Sequence, residues 1–316
     1  MTQTVVYTLY KFTALENPQR LRLRLLSVMK ANGVRGTLLL APEGINGTIC
    51  GARAGVDAVL GWLGRQPGLD GIAPGESLAD AAPFKRTRVK LKKEIVTMGV
   101  AGIDPGRSGV HVDPRAWNAL IDEDDTLVVD VRNTYEVKIG SFEGALNPGT
   151  ANFREFPAFA DAHLTPHKHK KIAMYCTGGI RCEKSTAYLK QRGFERVFHL
   201  KGGILNYLEV VPEAESRWRG ECFVFDDRVA VDHRLNKGAY DQCHACRSPI
   251  SETDKRDARY IPGAACPHCH DRVSAAARAR FVERQKQVDL AADRGAVHIG
   301  PRAMAGRTAD RKVARR

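Results

Sequence analysis

From Thr126 onward, short apolar strands alternate with amphipathic helices, and this rhythm restricts the fold more than any other feature of the sequence. Thr126 to Val131 is a continuous apolar strand ending among Asp130, Arg132 and Glu136. Lys171 to Tyr175 is a second buried strand, followed by a glycine-containing loop and a helix from about Cys182 to Arg192 that Gly193 stops. Strands that are apolar on both faces, with helices between them, require a parallel sheet covered on both sides. Asp113-Pro114 caps a helix through Leu120, and Asn152 with Glu155 reads as a capping box opening a helix over Phe153 to His163.

The first hundred residues follow a different pattern. Thr4 to Phe12 reads as a strand, and Asn17-Pro18 opens a helix with Leu21, Leu25, Val28 and Met29 on one stripe, closed near Gly33. Leu38 to Leu40 forms a buried strand. Pro42 to Gly47, with its Asn-Gly pair, turns the chain into a strand at Thr48 to Cys50. A helix carrying Val56, Val59, Leu60 and Leu63 and a last strand over Phe84 to Leu91 complete a βαββαβ order, which predicts a ferredoxin-like unit. In that last strand the period of two sends Arg86, Arg88, Lys90 and Lys92 to one face, with Val89 and Leu91 facing the core. Four aligned cations suit contacts to nucleic-acid phosphates, and equally suit the protection of a sheet edge.

At 316 residues the chain is long enough for two or three domains, and Gly102 to Gly109 is the clearest linker. The fold class is thus multidomain, α+β then α/β. The expected division is residues 1–101, ferredoxin-like; 110–225, a parallel-sheet domain; 226–273, a small cysteine-rich module; and 274–316, a basic tail. Lys and Arg number 49 against 36 Asp and Glu, a net charge of +13, which favours a polyanionic partner. The start of the sequence lacks the pattern of a signal peptide and no apolar run reaches ~18 residues, so the expected location is cytoplasmic, with no membrane partner. Oligomeric state is not legible.

The loop Cys176-Thr177-Gly178-Gly179-Ile180-Arg181 sits at the carboxyl end of a parallel strand, where reacting groups collect in such sheets. The helix N-terminus and the loop amides favour a thiolate at Cys176. Gly178 and Gly179 let the backbone, with Thr177 and Ile180, curl around the sulfur, and Arg181 adds a fixed positive charge. The expected product is a low-pKa, partly exposed nucleophile. Cys182 is either a resolving thiol or a small residue packed at the helix start. Asp130 and Arg132, with Glu136, are expected to brace the loop through ion pairs, and His199 to be structural.

Asp130-Val131-Arg132-Asn133-Thr134-Tyr135-Glu136, Gly144-Ala145-Leu146-Asn147, the Cys176 to Arg181 loop and Gly193 to Ile204 resemble, in order and spacing, a rhodanese domain. Only four residues separate Cys176 from Arg181, one fewer than in the related phosphatases. Leu40 to Thr48, Lys90 to Val96, Cys176 to Lys184 and Phe223 to Arg228 extend the resemblance from about residue 5 to 270, to the oxygen-dependent tRNA uridine hydroxylases. That resemblance implies a ferredoxin-like domain joined to a rhodanese domain and a cysteine-rich end. It also implies hydroxylation of carbon 5 of the wobble uridine in the tRNA anticodon stem-loop, with Cys176 catalytic, molecular oxygen as co-substrate and a reductant as electron donor. Which tRNAs are used, and which donor, are not implied. The same loop would serve a sulfurtransferase that carries a persulfide on Cys176, and an RNA-binding adaptor is a third possibility. No dinucleotide fingerprint or iron-ligand triad is evident, so neither flavin nor iron is assigned.

Cys243-His244-Ala245-Cys246 and Cys266-Pro267-His268-Cys269, nineteen residues apart, have zinc-ribbon spacing. Four thiolates leave no open position, so the expected role is a structural Zn²⁺ on Cys243, Cys246, Cys266 and Cys269; a redox dithiol pair is the competing reading. Cys50 and Cys222 are expected to be ordinary buried thiols. From Asp271 to the end, 12 Lys and Arg face 5 Asp and Glu. Ser274 to Leu290 is expected to be a basic helix and Gly295 to Arg316 unstructured.

Overall fold

The computed structural model describes residues 3–296. The expectation of an unstructured segment over Gly295 to Arg316 therefore lies almost entirely outside the described residues. The N-terminal unit runs β1 (Thr4–Phe12), α1 (Pro18–Ala31), β2 (Arg35–Ala41), β3 (Gly44–Gly51), α2 (Arg53–Gly64), β4 (Gly75–Ala79) and β5 (Thr87–Leu91). The sheet order is β4-β1-β3-β2-β5; β5 alone is parallel to its neighbour. Asn17 caps α1 through the Arg20 amide at 2.8 Å, and Leu25 and Met29 are fully buried against the sheet, with Leu21 and Val28 beside them.

Three local expectations change here. The strand that completes the ferredoxin-like order is β4, which has no apolar alternation in Gly-Glu-Ser-Leu-Ala because it is an edge strand with Leu78 exposed. The basic strand is instead a fifth strand, on the opposite edge. It begins at Thr87 rather than Phe84, and Leu91 is exposed rather than facing the core. The Asn46-Gly47 pair does not make the turn: Pro42-Glu43 does, and Asn46 and Gly47 lie inside β3 opposite Tyr10 and Leu9. Gly47 has φ 153°, and a Cβ there would collide with the Thr37 carbonyl of β2, so the glycine serves close strand approach.

Alternation along β1 decides how the two halves meet. Val5, Tyr7 and Leu9 point into the helix-covered core. Thr8, Tyr10 and Phe12 occupy the other face, and there they meet the second unit rather than water.

That unit contains β6 (Val110–Val112), α3 (Pro114–Ile121), β7 (Thr126–Asp130), α4 (Thr134–Val137), β8 (Gly140–Phe142), α5 (Phe156–Phe159), β9 (Lys171–Tyr175), α6 (Ile180–Gln191), β10 (Val197–Leu200) and α7 (Gly203–Val210). Its four-stranded sheet, β6-β10-β9-β7, is wholly parallel. One core holds Val129, Ile172, Met174 and Leu189; another, around Trp117, Phe142, Tyr175 and Tyr207, holds Ala173. The helix expected over Phe153 to His163 is broken into a 3₁₀ turn, α5 and a π segment, Ala160–Leu164. Pro157 lacks the N–H that the Phe153 carbonyl would accept in a continuous α-helix.

Past α7 come the short strands β11 (Trp218–Gly220), β12 (Cys222–Phe223), β13 (Ala230–Val231), β14 (Asp241–Gln242) and β15 (Pro249–Ile250), then α8 (Glu252–Arg256) and α9 (Ala275–Asp293). The expected boundary at 225/226 falls inside the β12–β13 pair, so residues 226–231 pack with the parallel-sheet unit. The boundary at 273/274 is also bridged, because Arg284 on α9 donates to the carbonyls of His244 and Gly263 at 3.0 Å. Among the described residues, no helix is long and apolar enough to cross a membrane.

Candidate active site

Cys176 follows β9 directly, and its side chain has no exposed surface. The expectation of a partly exposed nucleophile is therefore corrected. The physical reason is the N-terminal sheet: the Gly178 and Gly179 Cα atoms lie beneath Thr8 and Tyr10 of β1, so tightly that a Cβ on Gly179 would be 3.0 Å from the Tyr10 hydroxyl.

The sulfur is nonetheless held as an anion. Gly179 donates its amide to Sγ at 3.1 Å from a left-handed backbone with φ 96° that a side chain would oppose. The carbonyls of Cys176 and Thr177 turn away and accept from the Ile204 and Leu205 amides at the start of α7. Gly203 is required there, because a Cβ would collide with the Cys176 carbonyl. Burial pushes the Cys176 thiol up, but the Cys182 S–H donor, the Arg181 charge and the Cys182 and Arg181 amides outweigh it, bringing the pKa down to about 6. Cys182 is pushed well above the ordinary thiol range, first by burial and then by its hydrogen bond to Cys176. It is a protonated donor beside a thiolate, fully buried at the helix start.

Of the three residues expected to brace the loop, Glu136 alone pairs with it. Arg181 forms a two-pronged ion pair with Glu136, both contacts at 2.7 Å, and reaches Thr177 Oγ1 at 3.2 Å. Glu136 is fully buried; burial would raise its pKa, but the Arg181 guanidinium holds it below the usual carboxylate range. Asp130 and Arg132 do not reach the loop. Arg132 Nη2 donates to Asp130 at 2.6 Å and to the Gly140 carbonyl at 2.6 Å, with its guanidinium 5.0 Å over Trp218, so this pair fastens the end of β7 to β8.

Residues that sequence reasoning passed over close the site from above. Tyr10 donates to Glu183 Oε1 at 3.0 Å. Lys184, buried, places Nζ 2.9 Å from Glu43 Oε1 and 2.7 Å from Glu94 Oε2. Arg228 reaches Ser77 at 2.9 Å, and Asp227 N donates to the Pro83 carbonyl at 2.9 Å. Glu43, Glu94, Lys184, Asp227 and Arg228 lie in the segments that carry the family resemblance, but no local pattern pairs them, because each pair joins segments about 90 to 170 residues apart. Phe225, exposed, lies 5.9 Å from the Arg181 guanidinium. Between the units lies a cavity of about 460 Å³, bounded by Thr8, Tyr10, Lys11, Gly178, Lys201 and Arg228.

Arg86, Arg88, Lys90 and Lys92 are all exposed along the β5 edge. Arg86 and Arg88, with Lys85, share a groove of about 420 Å³ with Arg247 of the cysteine-rich module and Arg284 of α9. Cations from three parts of the sequence thus meet in one place.

In the cysteine-rich module Cys243 Sγ is 3.9 Å from Cys269 Sγ, and Cys266 Sγ is 3.7 Å from both Cys246 and Cys269. A tetrahedron with Zn–S bonds of ~2.3 Å has S···S edges of about 3.8 Å. The four sulfurs therefore fit a metal such as zinc, and they form the module's small core with Ile250 and Ala265.

Residues 4–95 match the family described as UPF0176 acylphosphatase like domain, and residues 113–209 match the rhodanese-like domain. This pairing is the architecture of the tRNA uridine hydroxylase (UPF0176) family. Among solved structures, the rhodanese-like domain of an Anabaena protein is 21% identical, over 35% of this chain and 78% of that one, with a TM-score of 0.30. A rhodanese-related protein from Thermoplasma volcanium is 22% identical over 32% of this chain and 91% of that one, TM-score 0.26. A Bacillus halodurans protein is 28% identical over 30% and 69%, TM-score 0.26. In this UPF0176 architecture the acylphosphatase-like sheet roofs the rhodanese cysteine loop.

Proposed function

We propose that this chain is a tRNA-modifying oxygenase that hydroxylates carbon 5 of the wobble uridine, with Cys176 as nucleophile. The observation that carries this reading is a buried thiol with its pKa brought down to about 6, on a loop whose Gly178 lines the cleft beneath the UPF0176 sheet. A thiolate adding to carbon 6 of uracil makes carbon 5 nucleophilic, because the charge spreads into the carbon 4 carbonyl. Carbon 5 then takes one oxygen atom from molecular oxygen; the other leaves as water with two electrons from an external reductant. Loss of the carbon 5 proton and of the Cys176 thiolate restores the ring.

The geometry refines the role of Arg181. Both of its terminal nitrogens are committed to Glu136, so it holds the loop and biases the sulfur electrostatically rather than donating to substrate. Lys11 and Lys201 at the cleft supply positive charge for the uracil carbonyls and the flanking phosphates. Since Cys176 is covered by Thr8 and Tyr10, entry of the base requires β1 to part from the loop. The groove formed by Lys85, Arg86, Arg88, Arg247 and Arg284 suits the phosphate backbone of the same tRNA.

The test is nucleoside analysis of tRNA from a deletion strain complemented with wild type or Cys176→Ala. Loss of a 5-hydroxyuridine-derived nucleoside without Cys176 is the expected result. Loss of a thiolated nucleoside instead would replace this reading with the sulfurtransferase one. Substrate RNA carrying 5-fluorouridine should form a covalent adduct at Cys176, and its absence would remove the carbon 6 addition.

A further inference from the structure

Glu183, on α6 one residue past Cys182, is a carboxylate with a relative exposure of 7%, and among the described residues its only charge partners are two histidines. His111 Nε2 lies 3.0 Å from Glu183 Oε1, and His199 Nε2 lies 3.9 Å from Oε2. The histidines come from neighbouring parallel strands in register, His111 on β6 opposite His199 on β10, with ring centroids 4.1 Å apart. One donor atom from each of the three residues lies within 4.8 Å of the others.

Two features separate this cluster from a satisfied core histidine. His199 has 1% of its surface exposed, and neither ring nitrogen makes a well-formed hydrogen bond, its contacts with the Gly109 backbone and with Glu183 Oε2 at 3.9 Å being weak. A buried imidazole with both nitrogens poorly matched is costly, and buried polar groups are otherwise almost always well paired. Second, the carboxylate is already oriented from outside, because Tyr10 donates to Oε1 at 3.0 Å, as outer-shell donors do around metal-bound carboxylates. Metal–ligand bonds of ~2.1 Å allow donor separations up to roughly 4.2 Å, so each Glu–His separation, 3.0 Å to Oε1 and 3.9 Å to Oε2, fits an ion held by the carboxylate.

We propose that His111, Glu183 and His199 form a binding site for a first-row divalent transition metal. Two imidazoles and one carboxylate suit iron(II), cobalt(II) or zinc, and they fill at most half of an octahedral shell, leaving the remaining positions to small exogenous ligands. His111, with 46% of its side chain exposed at the edge of the sheet, gives the ion a path in. The site is distinct from the four-thiolate cluster in donor type, and it stands whether or not the proposed reaction on tRNA is correct.

The test is anaerobic titration of the full-length protein with cobalt(II), after the four-thiolate site has been filled with zinc. Wild type should take up a further equivalent with nitrogen/oxygen ligand-field absorption and no thiolate charge-transfer band. His111→Ala, which removes a half-exposed side chain and should leave the thermal melt unchanged, should weaken that uptake at least ten-fold. Glu183→Gln should do the same, and Tyr10→Phe should weaken it less. If wild type takes up no metal beyond the thiolate site, or if His111→Ala and Glu183→Gln bind as wild type does, the site is overturned.

Discussion

Cys176 and Cys222 are equally buried and titrate in opposite directions. Burial pushes Cys222 up to about 12, outweighing the nearby Arg132 charge, and its Sγ has a carbonyl 3.7 Å away. Cys176 is also desolvated and still falls to about 6, because the Cys182 thiol, the Arg181 charge and the loop amides act on its sulfur. Cys50, pushed up to about 11, behaves like Cys222. Burial alone therefore makes a thiol inert; the direction of the surrounding donors decides whether it becomes a nucleophile. The cysteine-rich module shows a third outcome, in which four thiols share one small core and a metal ion is the natural source of countercharge.

The contrast is testable through the sulfurs themselves. Cys243→Ser should have the largest effect, since a zinc ion held by the four thiolates would contribute roughly 10 kcal/mol to the fold of the module. Metal content should drop and residues 241–273 should become protease-sensitive, whereas Cys222→Ser should leave the metal in place. Next, Cys176→Ala should lower tRNA modification by at least ~10³-fold, about 4 kcal/mol of barrier, read by nucleoside mass spectrometry. Cys222→Ala should lower it only as far as folding suffers, and equal losses would break the comparison.

Glu136→Gln strands the buried Arg181 and should cost about 3 kcal/mol of stability by denaturant melting, because one member of a buried ion pair remains uncompensated. A smaller effect is expected on pH dependence. Cys176 titrates at about 6 in the fold against an ordinary 9.0. Its stabilising contribution is thus complete above pH 9, shrinks as pH falls towards 6 and is gone below it. Modification should lose activity on the same acid limb, and Cys182→Ala, by removing a donor to the thiolate, should move that limb upward. The mildest change is Arg88→Ala at the exposed β5 edge, which should reduce the salt dependence of tRNA binding by about one unit of slope.

Much of the fold was legible because it rests on local pattern. The Asn17 cap, the α1 and α2 stripes and the apolar strands β7 and β9 are written in neighbouring residues, as are the Cys176 loop and the paired CxxC knuckles. β4 was not legible, because an edge strand with one neighbour needs no apolar alternation. Asn46-Gly47 misled because the same glycine that permits a tight turn also permits two strands to approach closely. Asp130 and Arg132 carried the expected charges, but their two-residue spacing let them satisfy each other, and Glu136 took the brace.

The sequence by itself determined that there would be a parallel sheet, a cysteine at the mouth of a helix and four thiolates in metal spacing, since each is fixed within a few dozen residues. Only the tertiary structure decided that Tyr10 and Thr8 would cover that cysteine, that Lys184 would bind Glu43 and Glu94, and that His111 and His199 would face Glu183. Apart from His199 and Glu183, 16 positions apart, these contacts join residues 72 to 173 positions apart, and no local periodicity encodes them.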